Sequence, residues 1–93
     1  MAIIYVIRIK DTTSESLKSS KQALSFFQEV LSNVIVETIV IDFSEVVFMD
    51  NSFAKQYVIC KNQSKTKKIR EINMPNDINI LIKSNIQGIE IAN

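Results

Sequence analysis

A small polar triplet, Asp50-Asn51-Ser52, follows the most apolar part of the chain and holds the side chains best suited to chemistry. The apolar run before it, residues 39–49, contains a second carboxylate, Asp42. Two nearby carboxylates would suit acid–base chemistry or Mg²⁺ binding, and a serine hydroxyl at a helix start would suit phosphorylation. An apolar strand that ends in a polar helix start is where α/β folds usually carry their functional surface.

The residue types of the chain argue against an enzyme. The sequence contains no histidine, which removes Ser–His and Cys–His nucleophile pairs and His-containing zinc sites. The single cysteine, Cys60, cannot form an internal disulfide or a thiolate cluster, and its position on the inner side of a predicted helix indicates packing. No glycine-rich phosphate loop follows any predicted strand. We therefore expect no catalysis, no cofactor and no metal ion.

Composition indicates one folded domain over residues 1–93. The apolar fraction of 46% and the charged fraction of 23% are ordinary for a globular chain, and the formal net charge is +1. The start of the chain lacks the pattern of a signal peptide, and its apolar runs are far shorter than the roughly 20 residues that cross a bilayer. We expect a cytoplasmic protein that does not enter a membrane.

Hydrophobic periodicity predicts a small α/β sandwich with the order β-α-β-α-β-α. Strands are predicted at residues 2–9, 36–43 and 67–74, and helices at residues 14–32, 52–64 and 76–87, the last ending at Gly88. These elements predict a mostly parallel sheet of three or four strands, whose central strand is covered by helices on both faces. In the first helix the spacing puts Leu24 and Phe27 on the core side and leaves Phe26 partly exposed.

Residues 39–53 resemble the central motif of STAS domains, the module of anti-sigma factor antagonists. In that motif an apolar strand ends in Asp-Leu or Asp-Phe and is followed by a short polar step and an apolar pair with Phe. The sequence Asp-Ser-Ser-Gly then begins a helix. Asp42-Phe43 matches the strand end, Phe48 the apolar step and Asp50-Asn51-Ser52 the switch triplet. Asn51 replaces the first serine and Phe53 replaces the glycine. With these replacements the motif resembles a divergent STAS-like group, without an assigned function, more closely than it resembles the antagonists. The similarity covers about residues 35–87.

The resemblance implies a bacterial regulatory module rather than an enzyme. In antagonists of this family the second serine of the triplet is phosphorylated by a partner kinase that is also an anti-sigma factor, and Ser52 occupies that position. The implied partner is a histidine-kinase-like ATPase or an anti-sigma factor that docks on the triplet and the exposed side of the second helix. The implied partner-binding residues are Asp42, Asp50, Asn51, Ser52, Phe53, Lys55 and Gln56.

Two other interpretations of the same residues stay open. All three residues of the triplet are preferred helix N-caps, so capping alone explains them equally well, and the domain would then be a constitutive adaptor or a homodimerisation module. The basic segment 61–70 is the other candidate, as a nucleic-acid contact. No aromatic side chain is interleaved with its lysines to stack on bases, so a solvated surface is favoured.

Overall fold

Three strands form one parallel sheet, and the three longest helices pack on one of its faces. A computed structural model describes residues 4–31, 37–64 and 68–92. The elements in chain order are β1 (Ile4–Arg8), α1 (Ile9–Thr12), β2 (Ser16–Leu17), α2 (Ser20–Leu31), β3 (Thr38–Asp42), β4 (Phe48–Met49), α3 (Asn51–Gln63), β5 (Lys68–Ile72) and α4 (Asn76–Ala92). The predicted α/β class and its order of principal elements are confirmed.

The sheet is ordered β1-β3-β5, and a separate two-stranded sheet joins β2 and β4. Every pair is parallel. Ile4, Thr38 and Lys68 lie side by side at one end of the three strands, and Arg8, Asp42 and Ile72 lie side by side at the other. The predicted strand at residues 2–9 is confirmed over Ile4–Arg8, and its first two residues lie outside the described ones.

The core lies between one sheet face and helices α2, α3 and α4. Ile7, Ile39 and Ile41 supply the sheet side, and a cluster of rings around Tyr57 fills the centre. The ring centroids of Phe27, Phe43 and Phe53 lie 5.2, 5.9 and 6.3 Å from that of Tyr57. Aromatic pairs at these separations add to the free energy gained by burial alone. These four rings are called the aromatic cluster below.

Among the residues that the structure describes, no helix covers the opposite face of the sheet, contrary to the prediction that β3 is covered on both sides. Side chains alternate between faces along a strand, so Ile4 and Val6 point away from the face that carries Ile7. Ile4 and Val6 are each 61% exposed, whereas Ile7 is 4% exposed. Val40, on the open side of β3, is only half-buried. Apolar residues on both sides of β3 therefore do not mean that helices cover both sides.

Helix α2 begins later than predicted. Residues 16–17 form strand β2 instead of the first helical turns, and the helix starts at Ser20. Leu17 is buried as expected, but its backbone pairs with β4, and the Asp50 N–H donates to its carbonyl at 2.9 Å. A single apolar residue such as Leu17 fits a helical stripe and a short strand equally, so this long-range pairing decided between them. The predicted helix end at residue 32 lies outside the described residues.

The inner side of α2 is also turned relative to the prediction. Phe26 is buried and Leu24 is exposed, so both assignments were wrong. Phe26 contacts Phe27 edge to face, with centroids 5.5 Å apart. Because α2 packs against α3 and also contributes to the core that the sheet shares, its buried side is wide enough to hold two adjacent rings.

Gly88 lies inside α4 rather than at its end, so the predicted helix stop was wrong. A glycine in a helix interior costs roughly 0.5–1 kcal/mol relative to alanine, which a long helix tolerates. Gly88→Ala is therefore expected to raise the free energy of unfolding by about that amount. Urea unfolding of both proteins measures the difference. A loss of stability would speak against a helical backbone at this position, because a Cβ is unfavourable at a glycine in a left-handed helix stop.

Candidate functional site

Two short strands set the position of the Asp50-Asn51-Ser52 triplet. In the β2–β4 pair Ser16 lies beside Phe48 and Leu17 beside Met49. β4 ends at Met49, and α3 begins two residues later, at Asn51. The triplet therefore lies at a strand-to-helix junction, as predicted, and the residues after β2 lie next to it.

The Asp50 carboxylate joins the starts of two helices. Its Oδ1 accepts from the Phe53 N–H at 2.8 Å, which caps α3. The Ser19 N–H donates to Oδ2 at 3.1 Å and to Oδ1 at 3.3 Å. Ser19 directly precedes α2, and its Oγ accepts from the Gln22 N–H at 3.4 Å. Helices α2 and α3 therefore begin on either side of one carboxylate.

Hydrogen bonds keep this carboxylate ionised. Burial would raise the pKa of Asp50, but the N–H groups of Phe53 and Ser19, together with Ser52, outweigh it and hold the pKa below its ordinary value. The positive ends of two helix dipoles act in the same direction. At neutral pH Asp50 is a fixed negative charge.

Ser52 is exposed on the first turn of α3, and its hydroxyl is bonded to Asp50. The Ser52 Oγ donates to Asp50 Oδ1 at 3.1 Å. The serine that the sequence singles out is thus accessible to a partner, and its oxygen lies in contact with a carboxylate. Anything added to that oxygen meets the Asp50 charge directly.

Two apolar side chains next to the triplet point to solvent. Val47 is 66% exposed and Phe48 is 46% exposed, while Val46 and Met49 on either side are buried. The N–H groups of Val47 and Phe48 both donate to the Glu15 carbonyl, at 2.9 and 3.4 Å. The backbone of this segment is held in place while its two large side chains stay uncovered. Sequence reasoning treated 46–49 as one apolar run, and no local pattern distinguishes the outer pair from the inner one.

Asp42 is not part of the triplet's network. It ends β3, and its Oδ1 accepts from the Ser44 N–H at 2.9 Å and from Asn73 Nδ2 at 3.0 Å. The Asn73 amide and the Ser44 N–H lower the pKa of Asp42, against an opposing effect of burial. Asp42 therefore ties the loop after β3 to the loop after β5. Asp42 and Asp50 bond to separate sets of partners, which does not support a shared acid–base pair.

The remaining predicted partner-binding residues divide between surface and core. Lys55 is exposed on α3 and Gln56 is half-buried, with its Nε2 3.4 Å from Cys60 Sγ. Asn51 is exposed, and its Oδ1 accepts from Asn85 Nδ2 of α4 at 3.0 Å. Phe53 is fully buried in the aromatic cluster, so its side chain is not offered to a partner.

Ser19 is a site residue that sequence reasoning missed. Its φ of 76° lies in the left-handed region, which costs a non-glycine residue about 1–2 kcal/mol. The bonds from its N–H to Asp50 hold it in that conformation. Ser19 gave no signal in the sequence, because its contact with Asp50 spans 31 positions of the chain.

Within the described ranges, no three metal-ligating side chains come together, and no helix has the length and apolar content needed to cross a membrane. The basic segment is divided by the fold. Lys61 pairs with Glu71 at 2.9 Å, Lys68 and Arg70 lie on the open sheet face, and residues 65–67 lie outside the described residues. These cations do not form one continuous patch with Lys61.

Comparison with known proteins returns no relative: no family model, no curated protein and no solved structure matches this chain.

Proposed function

We propose that this chain is a STAS-like regulatory module of the bacterial cytoplasm that binds a protein partner at the start of α3 and is switched by phosphorylation of Ser52. It has no catalytic role of its own. A histidine-kinase-like ATPase that also acts as an anti-sigma factor is the proposed partner. It transfers the γ-phosphoryl group of ATP to Ser52 Oγ, with release of ADP and a proton.

One observation carries the proposal: the exposed Ser52 hydroxyl lies 3.1 Å from an ionised carboxylate and close in sequence to two uncovered apolar side chains. Val47 and Phe48 give a partner an apolar contact, and Ser52 gives it a place where charge can be added. Exposed apolar groups beside polar ones are typical of interaction surfaces. The resemblance of residues 39–53 to the STAS motif supports the same assignment.

Phosphorylation would change this surface without removing any core contact. A phosphoserine adds about −1.5 to −2 charges. Two unit charges 4 Å apart repel by about 1 kcal/mol even in bulk water, and by more near a protein surface. The helix dipole would favour the phosphate by about 0.3–1 kcal/mol, but Asp50 already occupies the N–H groups of Phe53 and Ser19. Repulsion therefore outweighs the dipole, and the phosphate turns away from Asp50, towards the space that a partner would fill.

The experiment uses purified full-length protein, ATP and the histidine-kinase-like ATPases encoded by the same genome. We expect one phosphate per chain, absent in Ser52→Ala and retained in the control Ser20→Ala, because Ser20 is exposed at the start of α2. Ser52→Asp should weaken binding to the ATPase tenfold or more, whereas Ser52→Ala should bind as the wild type does. Phosphate at another residue, or equal binding by Ser52→Asp and wild type, would refute the switch.

A constitutive adaptor is the second candidate, and the capping bond from Phe53 to Asp50 favours it, because that bond alone accounts for the aspartate of the triplet. Comparing Phe48→Ala with Ser52→Asp separates the two, because only the response to charge at Ser52 differs between them. An adaptor loses its partner when Phe48 is truncated and is indifferent to charge at Ser52. A switched module is sensitive to both changes.

A further inference from the structure

The open face of the three-stranded sheet has no function in the proposal above. Parallel sheets in α/β proteins are normally covered by helices on both faces. Here the side chains of Ile4 and Val6, each 61% exposed, and of Ile72, 42% exposed, share the uncovered face with half-buried Val40. Large apolar side chains grouped on one exposed surface mark an interaction site.

Some charged side chains on this face form ion pairs, and others do not. At the carboxyl end Arg8 pairs with Asp11 and Glu45, Lys10 also pairs with Glu45, and Asp42 is bonded to Asn73. Lys68 and Arg70 lie on β5 beside Thr38 and Val40, and both are exposed. Among the described residues no carboxylate forms an ion pair with either cation. The apolar centre is thus bordered along β5 by two positive charges that have no ion pair within the described part of the chain.

The dimensions of the face decide which kind of occupant fits. Three strands about 4.8 Å apart are about 10 Å wide, and five residues are about 16 Å long. One α-helix is about 10 Å across, and three turns are about 16 Å long. A stable dimer needs about 800 Å² from each partner, which a face of this size does not supply alone. A single helix therefore suits the face better than a second copy of the chain.

We propose that the open sheet face is a docking surface for an amphipathic helix of a partner protein, with an apolar stripe against Val6 and Val40 and carboxylates along the flank that meets Lys68 and Arg70. Apolar residues at i, i+3, i+4 and i+7 of that helix supply the stripe. The attachment is weak and salt-sensitive, because the area is small and the ion pairs lie at its rim. It does not depend on Ser52.

The test uses two synthetic helical peptides of about 18 residues, long enough to be helical in water. Both carry the same leucine stripe, one with glutamates and the other with lysines on one flank. Fluorescence anisotropy of the labelled peptides measures their dissociation constants for the whole chain at low salt. Wild type is expected to prefer the glutamate peptide at least tenfold. Arg70→Glu should reverse that preference, and the control Lys83→Glu, an exposed cation on α4, should leave it unchanged.

Val6→Ser checks the apolar part of the surface. It should weaken the glutamate peptide at least fivefold while the circular dichroism spectrum and the melting temperature stay close to those of wild type. Equal affinity for the two peptides, or a preference that Arg70→Glu does not alter, would overturn the proposal. So would a dimer in sedimentation velocity that Val6→Ser dissociates, or tighter binding to anionic phospholipid vesicles than to the glutamate peptide. The dimer would assign the face to a second copy, and the vesicle result would assign it to a membrane surface.

Discussion

Tyr57→Ala is expected to lower the free energy of unfolding by about 3–5 kcal/mol, the usual cost of removing a large aromatic side chain from a core. Tyr57 is fully buried at the centre of the aromatic cluster, in contact with rings from α2, from α3 and from Phe43, directly after β3. A domain of this size has a total stability of only about 5–15 kcal/mol. The variant should therefore be largely unfolded or close to it, as circular dichroism and urea unfolding would show.

Tyr57→Phe keeps the ring and isolates the hydroxyl, so it is the more informative variant. The Tyr57 hydroxyl donates to Glu71 Oε2, and Lys61 Nζ holds the other oxygen at 2.9 Å. Without the hydroxyl one oxygen of a mostly buried carboxylate loses its partner, which costs about 1–3 kcal/mol. The matched control is Tyr5→Phe, at an exposed tyrosine on β1, where the change should stay within about 0.5 kcal/mol. Equal effects at both tyrosines would contradict the bond to Glu71.

The same tyrosine gives the stability an alkaline limit. Burial, then the charge of Glu71 and the bond to it, raise the pKa of Tyr57 well above its ordinary value of 10.0. In the unfolded chain Tyr57 ionises near pH 10, while in the folded chain it stays protonated. The protonated hydroxyl of Tyr57 therefore makes its full contribution to the free energy of unfolding below pH 10, and this contribution is lost as the pH rises above 10. The stability gap between wild type and Tyr57→Phe should shrink over that range.

Asp50→Ala is expected to cost about 2 kcal/mol, at the upper end of the range for loss of an N-cap. The carboxylate caps α3 and also holds Ser19 in its left-handed conformation, so its removal affects the starts of two helices. Asp77→Ala is the matched control, because Asp77 lies exposed in the first turn of α4 and should change the stability by less than about 0.5 kcal/mol. A loss at Asp50 no larger than at Asp77 would show that the bridge between the helices is not formed.

Asp50→Asn separates the cap from the charge. Asparagine is also a good N-cap, so most of the stability should be kept at neutral pH. Because the folded-state pKa of Asp50 is lowered, its charge contributes stability above the unfolded-state pKa, and this contribution is lost as the pH falls through the folded-state value. The urea midpoint of Asp50→Asn should therefore fall less between pH 5 and pH 2 than that of wild type.

The strands and α3 could be predicted because their patterns are local. β1 and β3 are rich in β-branched residues and β5 alternates in part, and Cys60 is buried on the inner side of α3, as predicted. The β2–β4 pair could not be found this way, since each strand has only two residues and their pairing is long-range. The helix end predicted at Gly88 was wrong for a related reason. A glycine indicates a helix end only when the residues after it no longer favour a helix.

The candidate site was predictable in its position and not in its contacts. Asp50-Asn51-Ser52 lies at a strand-to-helix junction, as expected from the apolar run before it. The participation of Ser19 and the exposure of Phe48 depend on how distant segments meet, and no spacing in the chain encodes either. The open sheet face was missed because β3 carries apolar residues on both sides, which a covered strand would also do.

The order β1-β3-β5 has a consequence for how this chain folds. Each strand pairs with one about thirty positions away, as the pairs of residues 4 with 38 and 38 with 68 illustrate. Loop closure over such distances must precede any gain from pairing, so the sheet forms late and the domain belongs among the slower folders of its size. The middle strand reaches β1 through the first crossing and β5 only through the second, so the sheet is complete only when segments from both halves of the chain have come together.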